Sequence, residues 1–233
     1  MKEDNNYAII VAAGRGQRMN SDMPKQFLIL DGKPVLSYTL AAFDRVPSIS
    51  EIVLVISKEY IDYVKNEILA KCNIKKPVLL AEGGIERQQS VYNGLKVLPK
   101  DADIVVIHDG ARPLITPTVI EKSIEAAQDF GSAVVGVPAK DTIKQVNEGG
   151  SIAKTLNRGL LWYAQTPQTF RCDIITKAHE KAKNANFTGT DDASLVERLN
   201  IPVKLVMGEY RNIKITTPED LIIAQNLMNF TEN

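Results

Sequence analysis

A short apolar run near the start of this chain, residues 8–12, passes directly into a loop rich in glycine and arginine. The run has the length and composition of a parallel strand that is buried on both faces. Small residues after such a strand let backbone N–H groups approach a phosphate closely, and nearby cations add fixed positive charge. Gly14 and Gly16 supply the first property, and Arg18 and Lys25 supply the second. The pattern therefore predicts a loop that binds a triphosphate.

Two common glycine-loop motifs do not match this segment. A dinucleotide-binding turn requires a third glycine, where this chain has Met19, and an acidic residue after the second strand, which is absent after residues 52–56. A P-loop requires Gly-Lys-Ser/Thr, but Gln17 follows the second glycine. The glycines alone also fit an ordinary strand-to-helix turn. The spacing of the two downstream cations favours nucleotide binding.

The bulk composition restricts the class of protein. The 233 residues are 44% hydrophobic and carry a formal net charge of +0, which excludes binding to nucleic acid or to a membrane surface through bulk charge. Cys72 and Cys172 lie far apart and outside any CxxC motif, so neither a zinc site nor a disulfide is expected. Because no long apolar span is present, we expect a soluble cytoplasmic protein without a membrane segment.

Apolar runs alternate with segments of helical periodicity, which predicts an α/β fold. We expect a mostly parallel sheet with helices on both faces. The predicted strands are residues 8–12, 52–56, 78–81, 104–108, 133–137 and 203–207. The predicted helices are residues 34–43, 59–71, 88–98, 118–130 and 218–230, and Thr116-Pro117 and Thr217-Pro218 are typical helix starts.

One segment interrupts this alternation. Residues 142–146 and 151–155 alternate in polarity around Asn147-Glu148-Gly149-Gly150, which is typical of a β-hairpin. The hairpin is too polar for the interior of the sheet. Two interpretations remain open, a solvated surface hairpin and an arm that reaches a second subunit.

A carboxylate follows the fourth predicted strand, at the edge where ligands of open α/β sheets bind. Asp109 is therefore a candidate magnesium ligand facing a triphosphate, and the alternative is a pair with Arg112 or a turn cap. His108 is expected to be a buried structural residue, because no second ligand stands at metal spacing. We expect His179 to face solvent from a charged helix.

Other candidate residues lie in loops after later strands. Gly83 and Gly84 let backbone contact a flat base, and Ser90 is placed to hydrogen-bond its edge, although a plain loop and helix start fit equally. Lys214 stands in a β-like run, residues 212–216, where a lysine also extends from a sheet edge. Arg158, Thr190 and Asp191 are undecided when each is considered alone.

Eight groups of residues, taken together, resemble the 2-C-methyl-D-erythritol 4-phosphate cytidylyltransferase family. They occur in register along essentially the whole chain. They are Ala12-Ala13-Gly14-x-Gly16-x-Arg18-Met19 with Pro24-Lys25-Gln26, Gly83-Gly84-x-x-Arg87-x-x-Ser90, His108-Asp109-Gly110-Ala111-Arg112-Pro113, Asp141-Thr142, Arg158-x-x-Leu161-Trp162, Gln165-Thr166-Pro167-Gln168, Thr190-Asp191 and Asn212-Ile213-Lys214. Val11 departs from the family pattern, because many members have proline there.

The resemblance implies a Rossmann-like nucleotidyltransferase fold in one domain, residues 1–233, with a protruding β-arm at about residues 139–160. It implies a homodimer joined by that arm, and a reaction in the non-mevalonate isoprenoid pathway. In that reaction CTP, with Mg²⁺ or another divalent cation, and methylerythritol 4-phosphate give the cytidine diphosphate alcohol and pyrophosphate.

The resemblance also assigns roles to residues. It places catalysis at Arg18, Lys25, Lys214, Arg158 and Asp109, and the metal at Asp109. It places nucleotide binding at Ala12, Ala13, Gly14, Arg15, Gly16, Arg18, Lys25, Gly83, Gly84, Arg87, Ser90, Gly110 and Lys214, with cytosine at Gly83, Gly84 and Ser90. It places the polyol phosphate at Asp109, Arg112, Thr142, Arg158, Thr190 and Asp191. Thr142 and Arg158 flank the arm, so the neighbouring subunit would supply them.

Two alternatives remain at this point. A ribitol-5-phosphate cytidylyltransferase would keep the fold and change the alcohol, although Leu161-Trp162 is more similar to the methylerythritol group. A non-catalytic nucleotide-binding regulator would keep the fold and lose turnover, yet Arg18, Lys25 and Lys214 are all present. Turnover of CTP separates an enzyme from a regulator.

Overall fold

The computed structural model describes residues 5–14 and 23–230. Its strands are β1 (Asn6–Val11), β2 (Ile29–Leu30), β3 (Lys33–Pro34), β4 (Ile49–Ile56), β5 (Val78–Glu82), β6 (Ile104–Asp109), β7 (Ser132–Pro138), β8 (Lys144–Val146), β9 (Ile152–Thr155), β10 (Trp162–Arg171) and β11 (Lys204–Met207). Within these described residues, seven strands form one sheet in the order β11-β7-β10-β6-β1-β4-β5. The pairs β2-β3 and β8-β9 form separate two-stranded sheets.

The central sheet is mostly parallel, as predicted. β1 pairs in parallel with β4 and β6, β4 with β5, and β7 with β11, while β10 runs antiparallel between β6 and β7. All six predicted strands are present. The sequence did not predict β10, because its Gln165-Thr166-Pro167-Gln168 segment is polar and contains a proline. The pairing register shifts between Ala164 and Gln168, and such an irregularity accommodates a proline inside a strand.

The helices are α1 (Val35–Asp44), α2 (Ile61–Tyr63), α3 (Arg87–Lys96), α4 (Pro117–Phe130), α5 (Cys172–Asn184), α6 (Asp192–Glu197) and α7 (Pro218–Asn229). Four predicted helices are confirmed as α1, α3, α4 and α7. The predicted helix at 59–71 is irregular, with 3-10 residues at Lys58–Tyr60, α2, and a π-helical stretch at Val64–Leu69. Both Thr-Pro helix starts are confirmed, since proline occupies the first turn of α4 and of α7.

Buried side chains lie on both faces of the sheet, which confirms the predicted placement of helices. On β1, Ala8 and Ile10 pack into one hydrophobic core with residues of α1 and α4. Ile9 belongs to a second core, with residues of α3, α5 and α6. Successive residues of a strand point to opposite faces, so strands covered on both sides are apolar without alternation.

The carboxyl ends of β1, β4, β5 and β6 bring four loops to one edge of the sheet. The loops are tied to neighbouring strand ends by backbone hydrogen bonds, with the N–H of Ala12 donating to Val55, that of Gly83 to Ile56, and that of Gly110 to Val11. Across residues 5–14 and 23–230, none of the helices combines the length and apolar character that a membrane crossing requires.

The predicted hairpin is confirmed as β8 and β9. Its strands pair antiparallel and do not join the central sheet. The side chains along both strands are exposed, including the apolar Val146 at 57% and Ile152 at 64%.

Candidate functional site

A large cleft opens at the edge where the four loops meet. Its volume is about 1470 Å³, and Ala13, Gly14, Lys25, Gly83 and Gly84 are among the residues that line it. A smaller adjoining pocket shares four of these residues, all but Gly83, and extends to Arg87, Asp109 and Lys214. The structure therefore brings most of the predicted nucleotide-binding residues to one place. The large cleft exceeds the roughly 300–1,000 Å³ of an ordinary ligand pocket, which leaves room for two substrates.

The loop after β1 is shaped by two side chains outside it. Nε2 of the buried Gln26 donates to the carbonyls of Ala12 at 2.6 Å and Gly14 at 3.1 Å. Oγ of Ser57 donates to the carbonyl of Ala13 at 2.7 Å. These bonds fix the carbonyl groups of the turn, next to Lys25 on the cleft wall. Arg15, Gly16 and Arg18 lie outside the described residues, so their predicted roles stay predictions.

The loop after β5 packs directly against the loop after β1. A Cβ atom at Gly83 would collide with that of Ala13, so only glycine fits there. Oγ of the buried Ser90 accepts from the N–H of Gly84 at 3.0 Å and donates to the carbonyl of Glu86 at 3.1 Å. Ser90 thus organises the glycine turn, and its predicted contact with a base edge stays a prediction.

Asp109, at the end of β6, lies among three cationic side chains. Its Oδ1 is 3.0 Å from Nε of Arg87, and its Oδ2 is 2.9 Å from Nζ of Lys214 and 3.7 Å from Nε of Arg112. The side chain of Asp109 is buried, and the backbone N–H of the same residue donates to Oγ1 of Thr166 at 3.1 Å. The pair with Arg112 that the sequence left open is present, as one part of this larger cluster.

The cluster decides which of its groups are charged. Burial raises the pKa of Asp109, but Arg87, Lys214 and Arg112 together lower it far below its usual range. Burial also disfavours the charged form of Arg87 and lowers its pKa, but its two carboxylate partners, Asp192 and Asp109, raise that pKa above its usual value. The site therefore holds an ionised carboxylate surrounded by charged nitrogen donors, which is suited to binding anions with a metal ion between them.

The segment that carries Lys214 is irregular, and the expectation of a β-like run at 212–216 is wrong. Nδ2 of the buried Asn212 donates to the carbonyl of Thr166 at 2.8 Å, and the N–H of Ile215 donates to the carbonyl of Ala111 at 2.9 Å. Nη1 of Arg112 donates to the carbonyl of Asn212 at 2.7 Å. Side-chain bonds and irregular backbone bonds, rather than a sheet ladder, hold the segment that places Lys214 against Asp109.

The two histidines have different outcomes. His108 is fully buried, with Nδ1 3.0 Å from Oγ1 of Thr166 and Nε2 3.3 Å from the carbonyl of Arg112. Burial lowers the pKa of His108 to about 3, so it is a neutral structural residue, as predicted. The expectation that His179 faces solvent is wrong, since it is buried and its Nε2 lies 3.2 Å from Oδ1 of Asp192. Because α5 carries several lysines, its charge content indicated an exposed helix and did not reveal that one face, which includes His179, is buried.

The predicted polyol-phosphate residues are only partly brought together. Asp191 is the N-cap of α6, where its Oδ1 accepts from the N–H of Ser194 at 2.9 Å. Thr190, next to it, is exposed. Thr142 and Arg158 are also exposed and line neither the cleft nor its adjoining pocket, and Nη1 of Arg158 donates to the carbonyl of Lys140 at 2.6 Å. The single chain therefore separates Thr142 and Arg158 from the cluster around Asp109.

The sequence analysis assigned no role to the buried polar residues that hold the site in place, although all but Asp192 occur in the eight groups of residues that carry the resemblance. They are Gln26, Gln165, Thr166, Gln168, Asp192 and Asn212. Gln168, for example, accepts at Oε1 from the N–H of Asp192 at 3.0 Å and donates to Oδ2 of Asp191 at 2.7 Å. One sequence signal for these buried residues was available. The segment 165–169 is mostly polar but lies between the apolar Ala164 and Phe170.

Among residues 5–14 and 23–230, no group of three or more His, Cys, Asp or Glu side chains is arranged to hold a metal ion. Asp109 provides a buried carboxylate that its cationic neighbours keep ionised inside the site. A magnesium ion held through one carboxylate and several phosphate oxygens needs no larger set of protein ligands. The residues present therefore fit a metal that is bound jointly with a nucleotide.

Comparison with known proteins gives a consistent result over nearly the whole chain. A family model described as 2-C-methyl-D-erythritol 4-phosphate cytidylyltransferase matches residues 7–230. A relative of that description from Caldanaerobacter subterraneus subsp. tengcongensis is 52% identical over 218 residues, 94% of this chain and 96% of the relative. Another, from Clostridioides difficile, is 50% identical over 221 residues, 95% of this chain and 92% of the relative.

Solved structures give the same result. The crystal structure of 4-diphosphocytidyl-2C-methyl-D-erythritol synthase from Anaerococcus prevotii superposes with a TM-score of 0.86 at 35% identity, covering 96% of this chain and 98% of that one. The 2-C-methyl-D-erythritol 4-phosphate cytidylyltransferase from Francisella tularensis gives a TM-score of 0.79 at 33% identity, covering 94% and 98%.

Proposed function

The chain belongs to the 2-C-methyl-D-erythritol 4-phosphate cytidylyltransferase family, and we propose that its cleft joins CTP to methylerythritol 4-phosphate with release of pyrophosphate. It is a nucleotidyltransferase of isoprenoid biosynthesis. We also propose roles for individual residues of the cleft. The observation that carries the assignment is the convergence of Lys214, Arg87 and Arg112 on the ionised Asp109, beside the glycine loop and Lys25.

The reaction is a direct displacement at the α-phosphorus of CTP. An oxygen of the methylerythritol phosphate attacks that phosphorus, the new P–O bond forms, and the bond to the bridging oxygen of the β-phosphate breaks, so that pyrophosphate leaves. The attacking phosphate is already an anion, so neither a protein nucleophile nor a general base is required. Catalysis then consists of positioning and of stabilising the negative charge that builds in the transition state.

The described cations are placed for that task. Lys214 projects into the pocket from a segment that is bonded to β10, and Lys25 lies on the wall shared by both pockets. We assign both lysines to the triphosphate and Arg112 to the polyol phosphate. A fixed ammonium group costs no reorganisation as charge develops, which is why such a group lowers a barrier more than mobile water does.

We propose that Mg²⁺, or another divalent cation, enters with CTP and that Asp109 would hold it. The ion would neutralise charge on the triphosphate. The low pKa of Asp109, against which burial acts and which its three cationic neighbours produce, supports this role because a magnesium ligand must be ionised. Arg87 and Lys214 retain the carboxylate when no metal ion is bound to it.

We further propose that the arm at about residues 139–160 joins two copies of the chain and that Thr142 and Arg158 complete the partner's site. Their exposure away from the cleft supports this, as do the exposed apolar side chains of Val146 and Ile152. A two-fold contact would create two shared sites in each dimer.

Complementation tests the shared site. A Lys25→Ala chain mixed with an Arg158→Ala chain would form dimers with one doubly defective site and one intact site, so we expect activity to recover towards half of wild type in the mixed species. If mixing restores nothing, each site is built from one chain.

We also propose that the chain forms one domain and acts in the cytoplasm. The central sheet collects strands from Asn6 to Met207, which supports a single domain. Cys72 and Cys172 are free thiols, which is typical of a reducing compartment.

Pyrophosphate release tests the substrate assignment. With CTP and Mg²⁺, we expect release with methylerythritol 4-phosphate and release at least about a hundredfold slower with ribitol 5-phosphate, since a site built around one alcohol leaves polar groups unpaired with another. Equal or faster release with ribitol 5-phosphate would favour the pentitol enzyme instead, and no release with either alcohol would favour a nucleotide-binding regulator. The relatives do not favour these alternatives.

A further inference from the structure

A second buried carboxylate lies behind the site, on the other side of Arg87 from Asp109. Asp192, the first residue of α6, is 1% exposed, and its Oδ2 accepts from Nη1 of Arg87 at 2.7 Å. Its Oδ1 lies 3.2 Å from Nε2 of His179, and its backbone N–H donates to Oε1 of Gln168 at 3.0 Å. Both carboxylate oxygens have partners, which fixes the side chain. Asp192 lines neither the cleft nor the adjoining pocket.

Arg87 bridges the two carboxylates. Its Nε donates to Oδ1 of Asp109 at 3.0 Å while its Nη1 donates to Asp192. A guanidinium group is a rigid plane, so carboxylates bound to two of its nitrogens fix both its position and its orientation. Because Arg87 holds Oδ1 of Asp109, the other oxygen, Oδ2, remains directed at Lys214, 2.9 Å away.

The bridge depends on the charge of Asp192. Burial raises the pKa of Asp192, but Arg87 and the hydrogen bond with His179 lower it below its usual value, so the group is ionised. Without that negative charge, Arg87 would keep Asp109 as its single anionic partner and would be drawn towards it. Asp109 would then turn away from Lys214, and the separation between the two catalytic groups would change.

We propose that Asp192 is a positioning residue for cytidylyl transfer: it holds Arg87, and through Arg87 it sets the orientation of Asp109 towards Lys214. The proposal rests on the function assigned to the cleft above. It extends the machinery from the loop after β6 to α6 and, through Gln168, to the antiparallel strand β10.

The first test is Asp192→Asn, which keeps the shape of the side chain and removes its charge. We expect kcat to fall at least about tenfold, because a displacement of about 1 Å at reacting groups costs up to a hundredfold. KM for CTP should not rise, because the substitution removes no cation from the site. Asp173→Asn is the matched control, since Asp173 is an exposed carboxylate paired with Arg171, and its kcat should stay within about twofold of wild type.

A double-mutant cycle shows whether Asp192 acts through Arg87. In the Arg87→Gln background, Asp192→Asn should cause no further loss of kcat, although each substitution also changes the melting temperature. If the two losses in kcat multiply, or if Asp192→Asn lowers only the melting temperature, the positioning role is refuted. Wild-type turnover is measured first, so that a failure of the proposed function is distinguished from a failure of this inference.

If Asp192→Asn does not fold, Arg87→Lys tests the bridge between Asp109 and Asp192 instead. Lysine keeps the positive charge but presents a single ammonium group, which cannot reproduce the planar bridge between Asp109 and Asp192. We expect a loss of kcat similar to that of Arg87→Gln. Wild-type kcat in Arg87→Lys would show that charge alone suffices and would overturn the proposal.

Discussion

Replacing Lys214 by alanine should reduce turnover far more than it reduces stability. Nζ of Lys214 lies 2.9 Å from Oδ2 of Asp109, and 35% of the lysine side chain is exposed. The segment around it is held by Asn212 and Ile215, whose hydrogen bonds do not involve the lysine side chain. The substitution therefore removes a charge from the site without removing the contacts that shape the segment.

The expected loss of stability in Lys214→Ala is much smaller than the expected loss of transition-state stabilisation. A partly exposed ion pair contributes at most about 1 kcal/mol after screening by water, which corresponds to roughly 2–4 °C in melting temperature for a chain of this length. Loss of one preorganised group that stabilises transition-state charge costs about 2.7–4 kcal/mol, or roughly a hundredfold to a thousandfold in kcat. Asp109 keeps Arg87 as a partner at 3.0 Å, so its charge stays compensated in the variant.

Steady-state pyrophosphate release, with CTP and methylerythritol 4-phosphate varied separately, measures this effect. We expect kcat to fall by at least about a hundredfold while KM for CTP changes much less, because the ammonium matters most as charge builds at the α-phosphorus. Lys71→Ala is the control, since Lys71 is an exposed lysine paired with Glu67 on the surface. A Lys214→Ala enzyme with unchanged kcat and weakened CTP binding would refute the catalytic role.

Three further outcomes follow from the structure. Lys25→Ala should lower kcat at least about a hundredfold in the same assay with an unchanged circular-dichroism spectrum, and near wild-type kcat would remove Lys25 from the mechanism. Gly83→Ala should destabilise the fold by about 1–3 kcal/mol in urea titrations, because its Cβ would collide with Ala13, and unaltered stability would contradict that packing. Burial lowers the pKa of His108 to about 3. As the pH drops below about 6.5, His108 is therefore protonated in the unfolded chain but not in the folded one, and the free energy of unfolding falls. Between pH 6.5 and pH 5, the free energy of unfolding of His108→Gln should therefore fall by about 2 kcal/mol less than that of wild type. An equal fall in both proteins would contradict a neutral buried histidine.

The strands that the sequence predicted well are those whose composition reports burial directly. β1, β4 and β6 consist mainly of apolar residues, because helices cover the sheet on both faces. Their order along the chain also predicted the edge at which Asp109 and the glycine turns meet, since parallel strands end together. That part of the site followed from periodicity and chain order alone.

The strand β10 could not be predicted in the same way. Its buried positions include Gln165, Thr166, Gln168 and Thr169, whose burial depends on partners from distant segments. Gln165 and Thr166 bind Asn212, and Gln168 binds α6. A polar residue favours a loop unless its hydrogen-bond partners are known, and those partners exist only after the fold has formed.

The same limit explains the missed charge network. Asp192 and His179 lie on two short stretches with many charged residues, and nothing in their spacing indicates that they face each other. Arg87 was expected to bind the nucleotide and lines the pocket that also contains Asp109, yet its two carboxylate partners are 22 and 105 positions away in the sequence. Contacts over such separations follow from tertiary packing, which local patterns do not encode.

We propose that the site transfers the cytidylyl group directly between its two substrates, without a covalent enzyme intermediate. Exchange of labelled pyrophosphate into CTP, with Mg²⁺ present and methylerythritol 4-phosphate absent, tests this most directly. We expect no exchange until the cytidine diphosphate alcohol is supplied, because in a direct transfer only that product can return its cytidylyl group to pyrophosphate. Exchange by the enzyme with CTP and pyrophosphate alone would reveal a cytidylylated residue and would contradict direct transfer.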